Sequence, residues 1–135
     1  MTRIRQTISI DAPAAALWDA IADIGALHTR VAPALVSDTR LEQDGAMRIV
    51  TFANGAVLHE DIISLDHTAR ELVWTARGGP WTHHNAWLAV TERADGGGDV
   101  TWTADVLPHS AGETIAGFVS AGLQDMKRHY EGPAA

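Results

Sequence analysis

The sequence predicts an α+β fold in which a seven-stranded antiparallel sheet curves around a long C-terminal helix. Near Leu35 the hydrophobic pattern takes a period of two and keeps it as far as Pro108, which is typical of strands. Turn signals such as Asn54-Gly55 divide this stretch at regular intervals, as in an antiparallel meander. Beyond Pro108 the period becomes helical. Since one helix cannot cover a flat sheet of this size, we expect a twisted sheet that wraps the helix and leaves a cavity between them.

The chain begins with a predicted strand and two short helices. Residues 3–10 alternate between polar and apolar, so that their isoleucines share one face of a strand. Pro13 stands where the first residue of a helix is expected, because its missing N–H costs nothing there. Gly25 ends this helix, and a second short helical turn is predicted over 26–32.

Six further strands and one long helix follow. Turns rich in Gly, Asp, Asn and Pro separate the strands. The helix carries an apolar stripe in which Gly122 either leaves space against the sheet or permits close backbone packing. Residues 1–131 are predicted to be a single domain and 132–135 a frayed tail. The predicted strands are 34–43, 46–53, 56–66, 70–77, 82–93 and 98–107, and the predicted helix is 112–130.

Composition excludes several classes of protein. The 135 residues fit one domain. With 10 Lys and Arg against 17 Asp and Glu, the net charge is -7 and no basic run is present. This argues against nucleic acid and against an anionic membrane as partners. The absence of cysteine excludes disulfides, thiolate zinc sites and cysteine nucleophiles.

Targeting and cofactor signals are also missing from the sequence. The first ten residues alternate charged and apolar, unlike a signal peptide. No apolar run approaches the roughly 18 residues needed to span a bilayer. We therefore expect a cytoplasmic protein. There is no HExxH, GxSxG, P-loop or GxGxxG motif, so neither a metal nor a cofactor is predicted.

The register of the hairpin around Asn54-Gly55 decides which charged residues face the core. A two-residue loop would set Arg48 opposite Asp61. A three-residue loop, with Gly55 in a left-handed conformation, would pair Arg48 with Glu60. Because a slip of one residue turns every side chain to the other face, the two registers describe different proteins. Hydrophobicity alone does not choose between them.

Several short motifs recur in a fixed order along the chain. They are Ile10-Asp11-Ala12-Pro13 with Leu17-Trp18, Gly45-Ala46-Met47-Arg48, Asn54-Gly55, Glu60, Asp66, Arg70-Glu71-Leu72-Val73-Trp74, and Val100-Thr101-Trp102 with Pro108. In order and spacing they resemble the polyketide cyclase/dehydrase branch of the START-like superfamily, also called SRPBCC or Bet v 1-like. The resemblance covers about residues 3–130.

The resemblance implies a helix-grip fold, in which the sheet grips the C-terminal helix over an apolar cavity. In that family the Glu that matches Glu60 points into the cavity, which favours the three-residue loop and an inward Arg48–Glu60 pair. Asp61 departs from the pattern, because an Arg commonly follows that Glu. Val36 falls roughly where the abscisic acid receptors of the superfamily carry a ligand-binding Lys, which argues against anionic ligand recognition of that kind.

Glu60 and His84 are the two candidate catalytic residues. Glu60 is suited to act as a general acid or base, or to form with Arg48 an ion pair that orients ligand or water on the pocket wall. The resemblance places His84 inward, as a ligand contact, a group that titrates near neutrality or a satisfied core histidine. Its neighbour His83 points to the opposite face, so the two are a poor chelating pair.

The predicted ligand-binding residues lie on the inward face of the sheet, in one loop and on the long helix. Trp81 follows Gly78-Gly79-Pro80 in a loop that would act as a lid. Trp87 is predicted to face outward, where it would be available as a dimer contact. The predicted ligand-binding set is Arg48, Val50, Phe52, Leu58, Glu60, Ile62, Trp74, Ala76, Trp81, His84, Ala86, Leu88, Trp102, Phe118, Val119, Gly122 and Met126.

Three functions are compatible with these features. The leading hypothesis is a domain that binds a small hydrophobic molecule, such as a lipid, a polyketide or an aromatic metabolite, in an internal cavity. The enzyme alternative is a polyketide cyclase or dehydratase in which Glu60 and His84 move protons on a bound poly-keto substrate. The third is a non-catalytic module that dimerises through Trp87. The protein is accordingly expected to be a monomer or a homodimer.

Overall fold

The fold is an antiparallel sheet with one long helix against it, which confirms the predicted helix-grip architecture. The structure is a computed structural model that describes residues 1–132, so residues 133–135 of the predicted tail lie outside the described residues. The strands are β1 (Thr2–Pro13), β2 (Val36–Glu42), β3 (Met47–Phe52), β4 (Val57–Asp66), β5 (Glu71–Arg77), β6 (His83–Glu92) and β7 (Gly97–Leu107). The helices are α1 (Ala14–Ala22) and α2 (Gly112–Glu131), with short helical turns at Leu27–Val31, Gln43–Gly45 and His109–Ala111.

The strands form one sheet in the order β1-β7-β6-β5-β4-β3-β2. Strands β2 to β7 follow one another as an antiparallel meander, and β1 adds to the far side of β7. The two edges, β1 and β2, are the strands that flank α1 and the turn at Leu27–Val31 in the chain. Curvature of the sheet gives it a concave face, and α2 lies across this face.

The start of α1 differs from the prediction by one residue. Pro13 is the last residue of β1, pairs with Gly97 and has an extended ψ of 133°, so the helix begins at Ala14. A bulge between Ile10 and Pro13 turns the chain from strand to helix. The second short helix is a single π-helical turn. The π geometry is found mostly as single turns, often at functional sites.

The hairpin between β3 and β4 has the three-residue loop. The Phe52 amide donates to the Ala56 carbonyl at 2.8 Å, and Gly55 has a φ of +90°. Arg48 therefore stands opposite Glu60. Because the side-chain period of a strand is two, this register turns both residues toward the concave face.

The β4–β5 turn is held by a carboxylate. Asp66 Oδ1 accepts hydrogen bonds from the amides of Thr68 and Ala69, both at 2.9 Å. Arg70 completes the turn with a φ of +54°. These two charged residues of the family pattern therefore act in the turn and not in the cavity.

The outer face of the sheet carries polar residues and Trp87. Trp87 lies on the outer face as predicted but is only partly exposed, because the Arg3 guanidinium lies 5.4 Å from its ring centroid. Arg3 is itself held by Asp105, with Nε to Oδ1 at 2.7 Å. The indole is thus covered on one face by the protein's own cation, a contact that stabilises an exposed aromatic side chain.

Polar contacts fix α2 relative to its neighbours. Asp125 is 4% exposed, and its Oδ2 accepts the amides of Ala34 and Leu35, both at 2.9 Å. Near the end of the helix, Lys127 Nζ donates to the Ser9 carbonyl at 2.6 Å. Asp125 thereby fixes the segment before β2 to the C-terminal half of the helix, and this segment forms part of the cavity wall.

Candidate functional site

A cavity of about 180 Å³ lies between the concave face of the sheet and α2. Its wall is mainly apolar and aromatic, and the ionisable side chains among the described residues that line it are Arg48, Glu60 and His84. Of the predicted ligand-binding set, the residues that line the cavity are Arg48, Phe52, Leu58, Glu60, Trp74, Ala76, Trp81, His84, Leu88, Trp102, Phe118, Val119, Gly122 and Met126.

Val50, Ile62 and Ala86 do not line the cavity. Val50 and Ala86 belong to the hydrophobic core, as their strand positions predict, but both are fully buried. Ile62 packs against the edge of the core, immediately before a register shift in β4 that ends at Ser64. Strand alternation predicts the face of a residue, but not which residues of that face remain uncovered.

A buried ion pair forms the polar part of the wall. Arg48 Nε donates to Glu60 Oε1 at 2.7 Å, and the two residues are 2% and 5% exposed. Arg48 Nη1 also donates to the Ile24 carbonyl at 3.3 Å, and the guanidinium lies 5.5 Å from the Trp74 ring centroid. Since a buried charge requires a partner, this set of contacts explains how an apolar sheet face accommodates Arg48.

One oxygen of the Glu60 carboxylate has no protein partner among the described residues. Among residues 1–132, Glu60 Oε2 has no hydrogen-bond partner, yet it is not sealed off by neighbouring atoms. Because Glu60 lines the cavity, its second oxygen is a hydrogen-bond acceptor toward that space. The Glu60 carboxylate is thus satisfied on one side by Arg48 and available on the other.

His84 is held in one tautomer by the backbone of β5. The amide of Ala76 donates to His84 Nδ1 at 3.2 Å, so the neutral ring carries its proton on Nε2. Burial lowers the pKa of His84 from 6.5 to about 4, with a smaller contribution from the neighbouring His83. At neutral pH the residue therefore presents an uncharged N–H donor.

Trp81 completes this corner of the cavity. Its indole lies against the His84 ring, with centroids 5.0 Å apart and the planes tilted by 32°, and its Nε1 donates to the Ala76 carbonyl at 2.8 Å. A Cβ on Gly79 would lie 2.1 Å from the indole, so the glycine is required for the loop to fold under it. Both backbone groups of Ala76 thus bond to side chains, the amide to His84 and the carbonyl to Trp81, and not to the backbone of β6. Trp81 covers this corner of the cavity.

Arg48, Glu60, Ala76 and His84 follow one another across four adjacent strands. Arg48 pairs with Glu60, Glu60 pairs with Ala76, and the Ala76 amide bonds to His84. Ala76 is the small member of the row and is buried. It leaves a gap in the wall between the Glu60 carboxylate and the His84 ring.

Trp102 fills the space that Gly122 leaves on α2. A Cβ at Gly122 would lie 2.7 Å from Trp102 Cζ3. The glycine therefore admits an indole ring instead of leaving empty space or bringing two backbones together. Trp102 also packs against Trp74, with ring centroids 5.7 Å apart. Its Nε1 is buried without a hydrogen-bond partner among residues 1–132.

Sequence reasoning missed the part of the wall that comes from outside strands β3 to β7. The π-helical turn, the segment pinned by Asp125, two loops and further positions of α2 supply it. Leu27 and Val31 have the four-residue spacing of an apolar helical face, a signal that could have identified them. The missed residues are Leu27, Val31, Ala32, Leu35, Val36, Ala56, Gly78, Gly79, Pro80, Thr114, Ile115 and Leu123.

The family model described as "Polyketide cyclase / dehydrase and lipid transport" matches residues 1–131. The chain belongs to this family. The match confirms the resemblance drawn from the sequence motifs. It covers all but the last four of the 135 residues. No curated protein matches the chain.

Solved structures share the fold of this family member. The protein XoxI from Bacillus cereus aligns with a TM-score of 0.86 at 17% identity, over 96% of each chain. An uncharacterised protein from Bacillus thuringiensis aligns with a TM-score of 0.86 at 15% identity, over 96% of this chain and 98% of that one. A protein from Thermobifida fusca aligns with a TM-score of 0.79 at 29% identity, over 96% and 93%.

Two further features concern the binding of metal ions and the crossing of a membrane. Within residues 1–132, no three His, Asp or Glu side chains come together as a group able to hold a metal ion. In the same part of the chain, neither helix has the length and apolar character needed to span a membrane.

Proposed function

We propose that this protein binds a small hydrophobic molecule in the cavity between the sheet and α2. The observation that carries the proposal is an apolar, aromatic wall with a few polar groups at one place, the Arg48–Glu60 pair and His84. Binding sites for small molecules have this composition, since apolar area supplies affinity and a few polar groups supply orientation. The family description, which includes lipid transport, supports the same function.

Burial of the ion pair supports a role other than stability. Removing two charges from water costs several kcal/mol per ion, so a buried pair is often no more stable than apolar residues of the same volume. Arg48 and Glu60 occupy the cavity wall, where an apolar pair would fill the core at lower cost. A polar anchor for a ligand accounts for this arrangement.

Binding agrees better with the geometry than the cyclase or dehydratase alternative. An enzyme of that kind would need Glu60 or His84 to transfer protons to and from a long substrate. Glu60 is held by Arg48 at 2.7 Å, and His84 Nδ1 is occupied by the Ala76 amide. A cavity of about 180 Å³ is close to the roughly 150 Å³ that holds one benzene molecule, and a poly-keto chain is larger.

Native mass spectrometry of the gently purified protein tests the proposal. We expect a mass excess from a bound small molecule, which organic solvent releases as an apolar compound. The variant Ala76→Leu should carry none, because its side chain fills the gap between Glu60 and His84. The matched control Val73→Leu adds volume to the same strand on the outer face and should keep the ligand. A wild-type protein that is empty and binds no alkylbenzene or alkylphenol in saturation-transfer NMR would refute the proposal.

A further inference from the structure

The cavity has features that define the chemical class of its ligand, beyond its being hydrophobic. Three properties of the wall bear on this: its volume, its net charge and the hydrogen-bonding groups left over by the protein. The inference from them rests on the proposed ligand-binding function.

Volume restricts the apolar part of the ligand. The cavity measures about 180 Å³, and an engineered protein cavity of roughly 150 Å³ lined by aliphatic and aromatic side chains binds benzene. The ligand that fits without displacing the wall is therefore about one substituted benzene ring in size. The aromatic side chains Phe52, Trp74, Trp102 and Phe118 offer flat surfaces against such a ring.

The polar part of the wall has no net charge. Arg48 and Glu60 neutralise each other at 2.7 Å. No further Lys, Arg, Asp or Glu occurs among the described residues that line the cavity. A ligand carboxylate would sit beside the Glu60 carboxylate, and a ligand ammonium beside the Arg48 guanidinium. Because a buried charge without its own counter-charge costs several kcal/mol, this wall favours an uncharged ligand.

The unused hydrogen-bonding groups specify the polar end of the ligand. Glu60 Oε2 is a free acceptor, and His84 carries a free Nε2–H donor because Nδ1 already accepts from Ala76. Arg48 Nη2 also has no protein partner among residues 1–132. The unpartnered Trp102 Nε1 is enclosed by neighbouring atoms and is therefore not open to a ligand. A hydroxyl group both donates and accepts, whereas a carbonyl or carboxylate oxygen only accepts. Glu60 and His84 lie two strands apart, roughly 10 Å between backbones, with only Ala76 between them.

We propose that the cavity selects an uncharged ligand of about the size of a substituted benzene ring that carries one hydroxyl group over Ala76. The hydroxyl donates to Glu60 Oε2 and accepts from His84 Nε2–H. Phenols and small cyclic alcohols have this chemistry. Aromatic acids of the same size do not, because a carboxylate has no proton to donate to Glu60 and brings a second negative charge.

Isothermal titration with four matched probes tests this selection: 4-propylphenol, propylbenzene, 4-propylbenzoate and 4-propylbenzylamine. The phenol should bind about tenfold more tightly than propylbenzene, as expected for hydrogen bonds to a charged acceptor. The benzoate and the protonated amine should bind about a hundredfold more weakly than the phenol.

Variants assign the selection to named groups. Glu60→Gln leaves Arg48 without its counter-charge, so the preference should reverse and the benzoate should bind more tightly than the phenol. Asp61→Asn removes the same charge one residue away on the outer face, where Asp61 pairs with Arg77 at 3.2 Å, and should leave the order unchanged. His84→Asn keeps an acceptor for the Ala76 amide but has no donor at the Nε2 position, because its NH2 group lies near the place of the ring Cδ2. It should lower phenol affinity about tenfold without changing that of propylbenzene.

The titrations distinguish a failure of the hydroxyl selection from a failure of ligand binding itself. If the four probes bind wild-type protein with equal affinity, or if the benzoate binds most tightly, the hydroxyl selection is wrong while ligand binding stands. If none of the four binds, the selection is wrong, and the proposed function is also wrong only if native mass spectrometry shows the purified wild type to be empty. Should Glu60→Gln fail to fold, the wild-type order of affinities and the His84→Asn comparison still decide the question.

Discussion

At the scale of single residues, the Arg48–Glu60 pair is the least ordinary feature of the molecule. Both residues are nearly inaccessible, and both have lost their hydration. The energetic consequence is asymmetric, because breaking such a pair leaves one uncompensated charge while replacing both partners leaves none. The same asymmetry distinguishes a structural role of the pair from a binding role. Replacing both residues by apolar ones can keep the fold while removing the polar groups that would hold a ligand.

The first prediction concerns this asymmetry. Arg48→Met or Glu60→Leu alone should lower the free energy of unfolding by roughly 3–5 kcal/mol, because each leaves a buried charge unpaired. The double variant Arg48→Met/Glu60→Leu should regain most of this loss while losing the preference for a hydroxyl-bearing probe. Urea denaturation of the wild type, the two single variants and the double variant measures these free energies of unfolding. Single variants as stable as the wild type would show that the pair is hydrated in solution, contrary to the structure.

The second prediction concerns the pH dependence of stability. The pKa of His84 is lowered from 6.5 to about 4 by burial, so between these values the unfolded chain binds a proton that the folded protein does not. Stability should therefore fall as the pH drops from about 6.5 toward about 4, and the loss from this residue should be complete below about 4. The size of the effect is roughly 3 kcal/mol.

Urea denaturation at about pH 7.5 and about pH 4.5 isolates this contribution when the wild type is compared with His84→Asn. Carboxylates titrate in both proteins, so the difference between the two pH profiles belongs to His84. The variant should lose less stability on acidification than the wild type. Identical profiles would mean that His84 is protonated, or is solvated, in the folded protein.

At the scale of elements, two glycines in the interior of helix α2, Gly117 and Gly122, have opposite surroundings. A Cβ on Gly117 would meet no atom within 4 Å, whereas a Cβ on Gly122 would lie 2.7 Å from Trp102. Helix propensity favours Ala over Gly by about 1 kcal/mol at either position. The two sites therefore form a matched pair in which packing alone differs.

The third prediction follows from this pair. Gly117→Ala should raise the free energy of unfolding by roughly 0.5–1 kcal/mol. Gly122→Ala should lower it by roughly 1–3 kcal/mol, because the Trp102 indole must move, and it should also weaken ligand binding if the ring moves into the cavity. Thermal and urea unfolding measure the two changes in stability, and titration with 4-propylphenol measures the change in ligand binding. A Gly122→Ala variant as stable as Gly117→Ala would show that the Trp102 ring has room to relax.

The elements also show what the sequence alone could predict. Periodicity and turn residues located every strand of the meander to within a few residues. This was possible because apolar and polar residues alternate along a half-buried strand. The inward position of Glu60 could not be read from hydrophobicity, since both registers of its hairpin place charges on a face. The family motif resolved that choice.

The rest of the cavity wall was not predictable from strand patterns. Leu27 and Val31 come from a π-helical turn, and Leu35 and Val36 from a segment whose position depends on Asp125, some 90 residues later in the chain. Val50 and Phe52 share one face of β3, yet only Phe52 lines the cavity, and strand alternation does not record this difference. Such contacts between distant segments leave no local signal.

At the scale of the whole molecule, the five tryptophans divide into two groups. Trp74, Trp81 and Trp102 line the cavity. Trp18 bonds through Nε1 to His67 at 3.2 Å, and Trp87 lies on the outer face beneath Arg3. The molecule thus contains three reporters inside the proposed binding site and two outside it.

The fourth prediction uses these reporters and tests ligand binding in the cavity most directly. In a ¹H–¹⁵N NMR titration with 4-propylphenol, the indole N–H signals of Trp74, Trp81 and Trp102 should shift and saturate together, while those of Trp18 and Trp87 stay in place. Single Trp→Phe variants assign the signals. Saturating shifts confined to Trp18 or Trp87, or no shift of any indole at millimolar probe, would contradict a ligand site between the sheet and α2.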